Sequence, residues 1–374
     1  MATIFKNFLN NDVATTRTLL HEAVPVTGTI VSGTYVNEGN IKNYAHGMFQ
    51  SVYDYPYLSS SANHILDITC GFSADNTDLS KSAPAVHSQQ AKKINVYNQM
   101  AQTLVGYDAA GNIRNFDQDG DFSGGTVASG LNTAAFFINF ARLLGKDEIK
   151  KGSFSMTLLT GGHGPPMREA TTVPTVINDS GSLTDYRVNS PAGEYGFLYA
   201  ADSSPDGGAK VGLIYYQAGI VVLTASVFAT GSELPGQTLT YGNGGFGPPG
   251  SGSYDFAAHS ASVQSYLTGA SISGAADGFR NCLQTLSFNN TTELNSTIYF
   301  CRANHTDFNY SSNPTYLSAS KIVTKNKSTD MPVSYITAVG LYSADNELLA
   351  VAKISEPLKK TPTNELTLRV RLDY

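Results

Sequence analysis

Short apolar runs separated by clusters of Asn, Ser, Gly and Asp recur through the first 130 residues, a spacing that predicts strands joined by turns. TGTIVSGTYV (Thr27 to Val36) and NHILDITCGF (Asn63 to Phe72) are the clearest of these runs. A different period appears between Gln89 and Leu104. There Ile94, Tyr97, Ala101 and Leu104 fall at helical spacing on one face, Gln90, Lys92, Lys93, Asn95 and Gln99 lie largely elsewhere, and Gly106 suits the stop. The pattern predicts an amphipathic helix packed by its apolar face on a sheet.

AAFFINFARLL (Ala134 to Leu144) is apolar at most positions and fits a buried helix or a buried strand. The charged KDEIKKGS that follows reads as a turn and FSMTLL as a strand. Between Gly161 and Gly208, Gly-Gly, Pro-Pro and Asp-Gly-Gly punctuation predicts long loops. VGLIYYQAGIVVLTASVF (Val211 to Phe228) approaches the length of a membrane span. Gln217, Thr224, Ser226, two internal glycines and many β-branched residues instead predict two buried strands bent at Ala218–Gly219.

YGNGGFGPPGSGSYDF (Tyr241 to Phe256) has no periodicity and reads as a linker or flexible loop. Phe256 to Leu267 and Ala275 to Leu286 read as two short helices, with Leu267, Phe279, Leu283 and Leu286 among their core contacts. The last forty residues carry the clearest pattern. SYITAVGLY (Ser334 to Tyr342) and ELLAVAKI (Glu347 to Ile354) flank SADN, a four-residue turn signal, and predict a β-hairpin. In ELTLRVRLDY, Leu366, Leu368, Val370 and Leu372 alternate with Thr367, Arg369, Arg371 and Asp373, which predicts a strand with one dry face.

Composition changes the picture in three ways. Charged residues make up 14% of the 374, well below the roughly 25% of an ordinary soluble protein. Ser, Thr, Asn and Gly take their place, so surfaces that meet have fewer charges to desolvate. A net charge of −6 leaves no basic field to hold nucleic acid. The aromatic residues are 21 Tyr and 18 Phe with no Trp, and Tyr packs apolar surface while offering a hydroxyl to water or a partner. The start MATIFKNFLNNDVATT has no basic region followed by an apolar run, so no secretory signal is expected.

Candidate chemistry is sparse. NFDQDG places Asn115, Asp117 and Asp119 at alternate positions before Gly120, as in the opening of a calcium loop, but Thr126 stands where such a loop ends in Glu. An acidic surface turn is the simpler reading of that segment. His163, Arg168 and Glu169 share a flexible setting with no nucleophile context. The seven histidines show no metal-ligand spacing, the three cysteines (Cys70, Cys282 and Cys301) read as reduced thiols, and the glycine clusters lack a nucleotide-binding frame. No catalytic centre, cofactor or metal is expected.

ITAVGLYSADNELLAVAKI (Ile336 to Ile354), followed by SEPLKKTPTNELTLRVRLDY, resembles a recurring module of tailed-phage structural proteins found in tail-fibre attachment, tail-collar and baseplate proteins. The matching residues are Val339, Gly340, Leu341 and Tyr342, then Glu347, Leu348, Leu349, Ala350 and Val351, with a basic proline-containing connector from Pro357 to Pro362. AKKINVYNQMAQTLVG, FARLLGKDEIKKGSFSMTL and GLIYYQAGIVVLTASVF resemble an uncharacterised family of virion proteins of contractile-tailed phages, including those of marine cyanobacteria. The resemblance implies a non-enzymatic virion structural protein, made in the host cytoplasm and placed in the baseplate or tail-fibre attachment region. Its implied partners are other virion proteins and further copies of itself. The alternatives are a receptor- or glycan-binding adhesin on the particle and a neck or head–tail connecting protein.

The expected fold is mainly β with a few helices (α+β), with β-sandwich-like sheets and a C-terminal hairpin and strand module. Three consecutive parts are expected: residues 1–150, 151–330 and 331–374. Tyr342, Leu348, Val351, Arg369, Arg371 and Tyr374 are the candidate interface residues.

Overall fold

The structure is a computed structural model that describes residues 5–26, 41–53, 64–76, 89–117, 120, 131–160, 173–200, 209–228, 233–234, 237–238, 267, 271–309, 317–318, 321–322, 329 and 331–374. The strand expected at Thr27 to Val36, the glycine-rich segment from Tyr241 to Phe256 and nearly all of the helix expected at Phe256 to Leu267 lie outside these residues.

In chain order the main elements begin with strands β1 (Val13–Pro25), β2 (Ile41–Asn43), β3 (Gln50–Tyr53) and β4 (His64–Phe72), followed by helix α1 (Gln90–Leu104). Next come β5 (Ala134–Phe140), β6 (Ser155–Thr160), β7 (Val173–Asn178), β8 (Tyr186–Ser190), β9 (Gly193–Ala200), β10 (Ala209–Tyr215) and β11 (Ile220–Thr224). Helix α2 (Ile272–Cys282) leads directly into the long β12 (Leu283–Ala303), and β13 (Ser334–Tyr342), β14 (Leu348–Lys360) and β15 (Leu366–Asp373) complete the chain. The protein is mainly β with antiparallel sheets and few helices, as its patterning predicts. No helix among the described residues is long and apolar enough to cross a membrane.

The chain divides into two compact units. The core unit is His21–Thr292, and the terminal unit combines Met1–Leu20 with Glu293–Tyr374, so β1 and β12 each supply residues to both. This differs from the three consecutive parts read from the sequence. The cause is pairing across long sequence distances. In the core unit β6 bonds to β12 with Leu158 opposite Leu283 and Met156 opposite Leu286, and in the terminal unit Asp12 pairs with Arg302 and Arg17 with Glu293.

In the core unit the sheet runs β12–β6–β7–β9–β10–β11–β5–β4–β3–β2, with β8 added beside β9. Its helices lie on opposite faces. Successive residues of a strand point to opposite sides, and on β5 the Phe137 ring meets Tyr97 of α1 while Phe136 meets Phe279 of α2. With both faces covered, β5 is apolar except at the half-buried Asn139. The Ala134 to Leu144 run is therefore a strand through Phe140, followed by one helical turn, Arg142–Gly145. Tyr195 to Ala200, Val211 to Tyr215 and Val221 to Thr224 are likewise buried at every position.

The helix α1 buries Val96, Tyr97, Ala101 and Leu104, close to the face read from its periodicity. Lys93, grouped by sequence with the polar residues, is also fully buried, and its Nζ donates to the Leu267 carbonyl. The bend at Ala218–Gly219 forms as predicted: Tyr215 opposes Ile220, and Gly219 takes a left-handed φ of +67°. Two expectations are corrected. Residues 173–200 are not loops but β7, β8 and β9, because the Gly, Pro and Asp punctuation marks turns between strands whose partners lie elsewhere in the chain. The helix expected at Ala275 to Leu286 instead starts at Ile272, with the Ser271 side chain accepting from the Gly274 amide, and ends at Cys282. Leu283 and Leu286 are buried as expected, but as strand residues paired with β6.

In the terminal unit β15 pairs antiparallel with β12 from Ser296 opposite Asp373 to Ala303 opposite Leu366. The strands β13 and β14 form a separate two-stranded ribbon. Its SADN turn closes through the Ser343 amide on the Glu347 carbonyl at 2.8 Å, with Asn346 at a positive φ that Asn tolerates. On β15, Leu366, Leu368, Leu372 and especially Val370 face inward, while Thr367, Arg369, Arg371 and Asp373 are exposed.

Candidate functional site

The two units differ in how much apolar surface they withdraw from water. The terminal unit, among its described residues, buries the hydrophobic side chains Ala303, Leu341 and Val370. Among the described residues fifteen exposed large hydrophobics belong to it, against seven in the much longer core unit. Scattered exposed apolar residues are ordinary, whereas a contiguous patch marks a binding surface.

The patch is built on the ribbon. Opposed residues of an antiparallel pair share a face, and here Ala338 opposes Lys353, Gly340 opposes Val351 and Tyr342 opposes Leu348. A Cβ on Gly340 would stand 2.9 Å from the Tyr342 ring and 3.3 Å from Leu348 Cδ1, so both side chains fold over the bare glycine backbone. Tyr342 is 44% exposed, Leu348 53%, Val351 54% and the neighbouring Leu349 68%. The reverse face is different: Leu341 is buried, and Val339, Ala350, Ala352 and Ile354 are half-buried. The ribbon thus has one occupied face and one open apolar face. Phe5 extends the open side, its ring meeting Tyr342 edge-on at 4.8 Å.

Tyr342, Leu348 and Val351, singled out from the sequence, are brought together on this face. Arg369, Arg371 and Tyr374 are exposed but sit on or just beyond β15, in the other sheet of the unit. Arg371 donates to Asp373 and to the Ser296 hydroxyl, and Ser296, then Arg371, hold the Asp373 carboxyl below the usual carboxylate range. Tyr374 is tied to β12 by backbone bonds in both directions with Asn295 and by its hydroxyl at 3.0 Å from Thr297 Oγ1. Sequence reading missed Phe5 and the long exposed stretch of β1, where Val13, Leu19 and Leu20 alternate irregularly with Thr and carry no periodic signal.

The proposed cation loop is only partly described. Asp117 is buried and lies in a short ladder, Phe116–Asp117 against Leu131–Asn132, while Asn115 is half-buried and Asp119 lies outside the described residues. Among the described residues no three His, Cys, Asp or Glu side chains gather as a metal site. His163, Arg168 and Glu169 lie outside the described residues. Burial pushes the Cys70 thiol up to about 11, which keeps it protonated and unreactive.

One cluster in the core unit has the ingredients of acid–base chemistry. Asp179 is fully buried, and burial pushes its carboxyl up to about 6 against the pull of its donors. Those donors are the amides of Gly152 at 2.8 Å and Phe154 at 2.9 Å and the Tyr216 hydroxyl at 3.1 Å. Nearby, Lys151 pairs with Glu194 and lies 3.9 Å above the Tyr186 ring. Packing beside the cluster is tight: a Cβ on Gly196 would fall 2.2 Å from both Ser182 Oγ and the Tyr216 hydroxyl oxygen. Asp179 therefore clamps the turn that precedes β6.

The fold defines an antiparallel, mainly β protein with a well-filled core unit and a terminal unit whose apolar ribbon face is open. No family model, curated protein or solved structure matches the chain.

Proposed function

We propose that the chain is a structural subunit of a tailed-phage virion, placed in the baseplate or tail-fibre attachment region and working through protein–protein interfaces. The observation that carries the assembly part is the open ribbon face, where Tyr342, Leu348, Leu349 and Val351 are each at least 44% exposed. Apolar surface gathered on one face of a narrow ribbon is stabilised when a partner removes it from water, at roughly 25 cal/mol per Å². The virion part is supported by the resemblance of this ribbon and the following strand to a module of phage tail proteins. A surface low in charge suits such packing, since few ions are stripped of water. The work assigned to the chain is positioning and load transmission.

Mass spectrometry of gradient-purified tailed particles from cells expressing this chain, with heads and tails separated, is expected to find it in the tail fraction at fixed stoichiometry. Its absence from intact particles would refute the assignment. Saturable binding of the isolated protein to host cells would move the assignment to the adhesin.

A further inference from the structure

We propose that the face of the core sheet that carries α1 also holds a binding site for a neutral saccharide, built on the opposed pair Asp67 and Asn139 with Ile220 beside them. The inference goes beyond the assembly reading and does not rest on it, since it concerns the core unit alone.

Register lines these residues up. Opposed residues of antiparallel strands share a face, and one row crosses six strands: Lys42 opposes Ser51, Ser51 opposes Asp67, Asp67 opposes Asn139, Asn139 opposes Ile220 and Ile220 opposes Tyr215. Asn139 points to the same side as Phe137, whose ring meets Tyr97, so the row lies on the side of α1.

The helix crosses that row obliquely. It starts against the β2–β3 turn, where Lys92 donates to the His46 carbonyl at 2.7 Å, and passes over Gly71, about 13 Å along β4 from Asp67. It ends on the other side of the row, at the β8–β9 turn, where the Ser190 hydroxyl donates to the Leu104 carbonyl. Tyr215, at the covered end of the row, is fully buried, whereas Asp67, Asn139 and Ile220 are only half-buried. A polar patch within reach of water therefore interrupts an apolar face.

Its hydrogen-bonding capacity is only partly used. Asp67 Oδ1 accepts from the Ser51 hydroxyl at 2.5 Å and lies 2.8 Å from His64 Nε2. Among the described residues, Asp67 Oδ2 and the Asn139 amide have no hydrogen-bond partner. Opposed side chains stand about 5 Å apart at Cβ, so an oxygen that only accepts and an amide that both donates and accepts are presented together. Neighbouring hydroxyls of a sugar ring, each a donor and an acceptor, match that pair, and Ile220 gives the C–H face of the ring an apolar contact. Other ligand classes fit worse. An anion would meet the Asp67 carboxylate, which has no Lys or Arg partner among the described residues. A metal ion would find no third His, Cys, Asp or Glu there among the same residues. With few hydrogen bonds and a shallow floor, the Kd for a single sugar is on the order of 5 mM.

Saturation-transfer NMR of the full chain with glucose, galactose, mannose or N-acetylglucosamine, each from about 0.5 to 50 mM, spans that Kd. Saturable transfer to at least one of the four is expected. Asn139→Leu removes an amide that bonds nothing in the fold, so it should leave the thermal melt unchanged or raised while weakening that sugar at least about fivefold. Asp67→Asn keeps an acceptor for Ser51 and His64 and should weaken the same sugar about tenfold. No transfer to any of the four overturns the proposal. So does a sugar whose binding neither variant alters, because it then sits elsewhere on the chain. The particle assay is independent: a tail component that binds none of these sugars refutes the saccharide site alone, and a sugar-binding chain missing from particles refutes the virion assignment alone.

Discussion

Asp179 shows how a single buried acid shapes the chemistry of the whole chain. Its folded pKa of about 6 exceeds the ordinary 3.8, so between these values the folded state binds more protons than the unfolded one. Stability must then fall as pH rises through that window, by on the order of 3 kcal/mol. Asp12, Asp108, Asp307 and Asp373 are held below 3.8, so what they contribute is lost only as pH drops beneath that value. His64 is raised above 6.5 by Asp67, so its contribution is present below 6.5 and lost above its folded pKa. Urea titrations should find the unfolding midpoint falling from about pH 4 to about pH 6, and Asp179→Asn should flatten that decline. None of this was legible in the sequence, where Asp179 is one acid in a Ser- and Gly-rich stretch. Lys93 is a second case, since a lysine on a helix reads as solvated until the segment above it is known.

At the scale of elements, the close approach of α1 to β4 is the contact most open to test. A Cβ on Gly71 would stand 2.5 Å from the Lys93 carbonyl oxygen and 2.9 Å from the Tyr97 amide nitrogen, both backbone atoms of α1. Gly71→Ala should therefore push the helix off the sheet and destabilise the chain by about 3 kcal/mol, read as a lowered melting temperature. The strands and helix with a clean period were legible: β4, α1, the bend between β10 and β11, the terminal hairpin and β15 all lie where alternation or helical spacing places them. Where the period was absent, tertiary contacts decided. The AAFFINF run became a strand because β4 and β11 flank it and helices cover both faces. Residues 173–200 became strands because β6 and β10 supply their partners.

For the whole molecule, the contrast between units predicts uneven protection. In the isolated chain, backbone amides of β9, β10 and β11 should exchange slowest, because both faces of those strands are buried. Those of β13 and β14 should exchange faster by orders of magnitude, and hydrogen exchange followed by mass spectrometry on isolated and assembled protein should show the ribbon gaining protection on assembly. Equal protection in both units would contradict this division. The division itself was hidden in the sequence, because the first twenty residues join the last part of the chain in one unit. Tyr342, Leu348 and Val351 could be grouped from the sequence because they belong to one hairpin, although a register shift beside Tyr342 sets which of them share a face. Phe5 joins them only in space.

Local order in the periodic segments of this chain, β4, the first helix, the last hairpin and β15, was determined by the sequence alone, because side-chain period and turn residues act over a few neighbours. Tertiary structure alone decided which strands pair, which acid and which lysine are buried, and which face of the ribbon stays open. Burial depends on atoms brought from distant parts of the chain, and no local pattern encodes them.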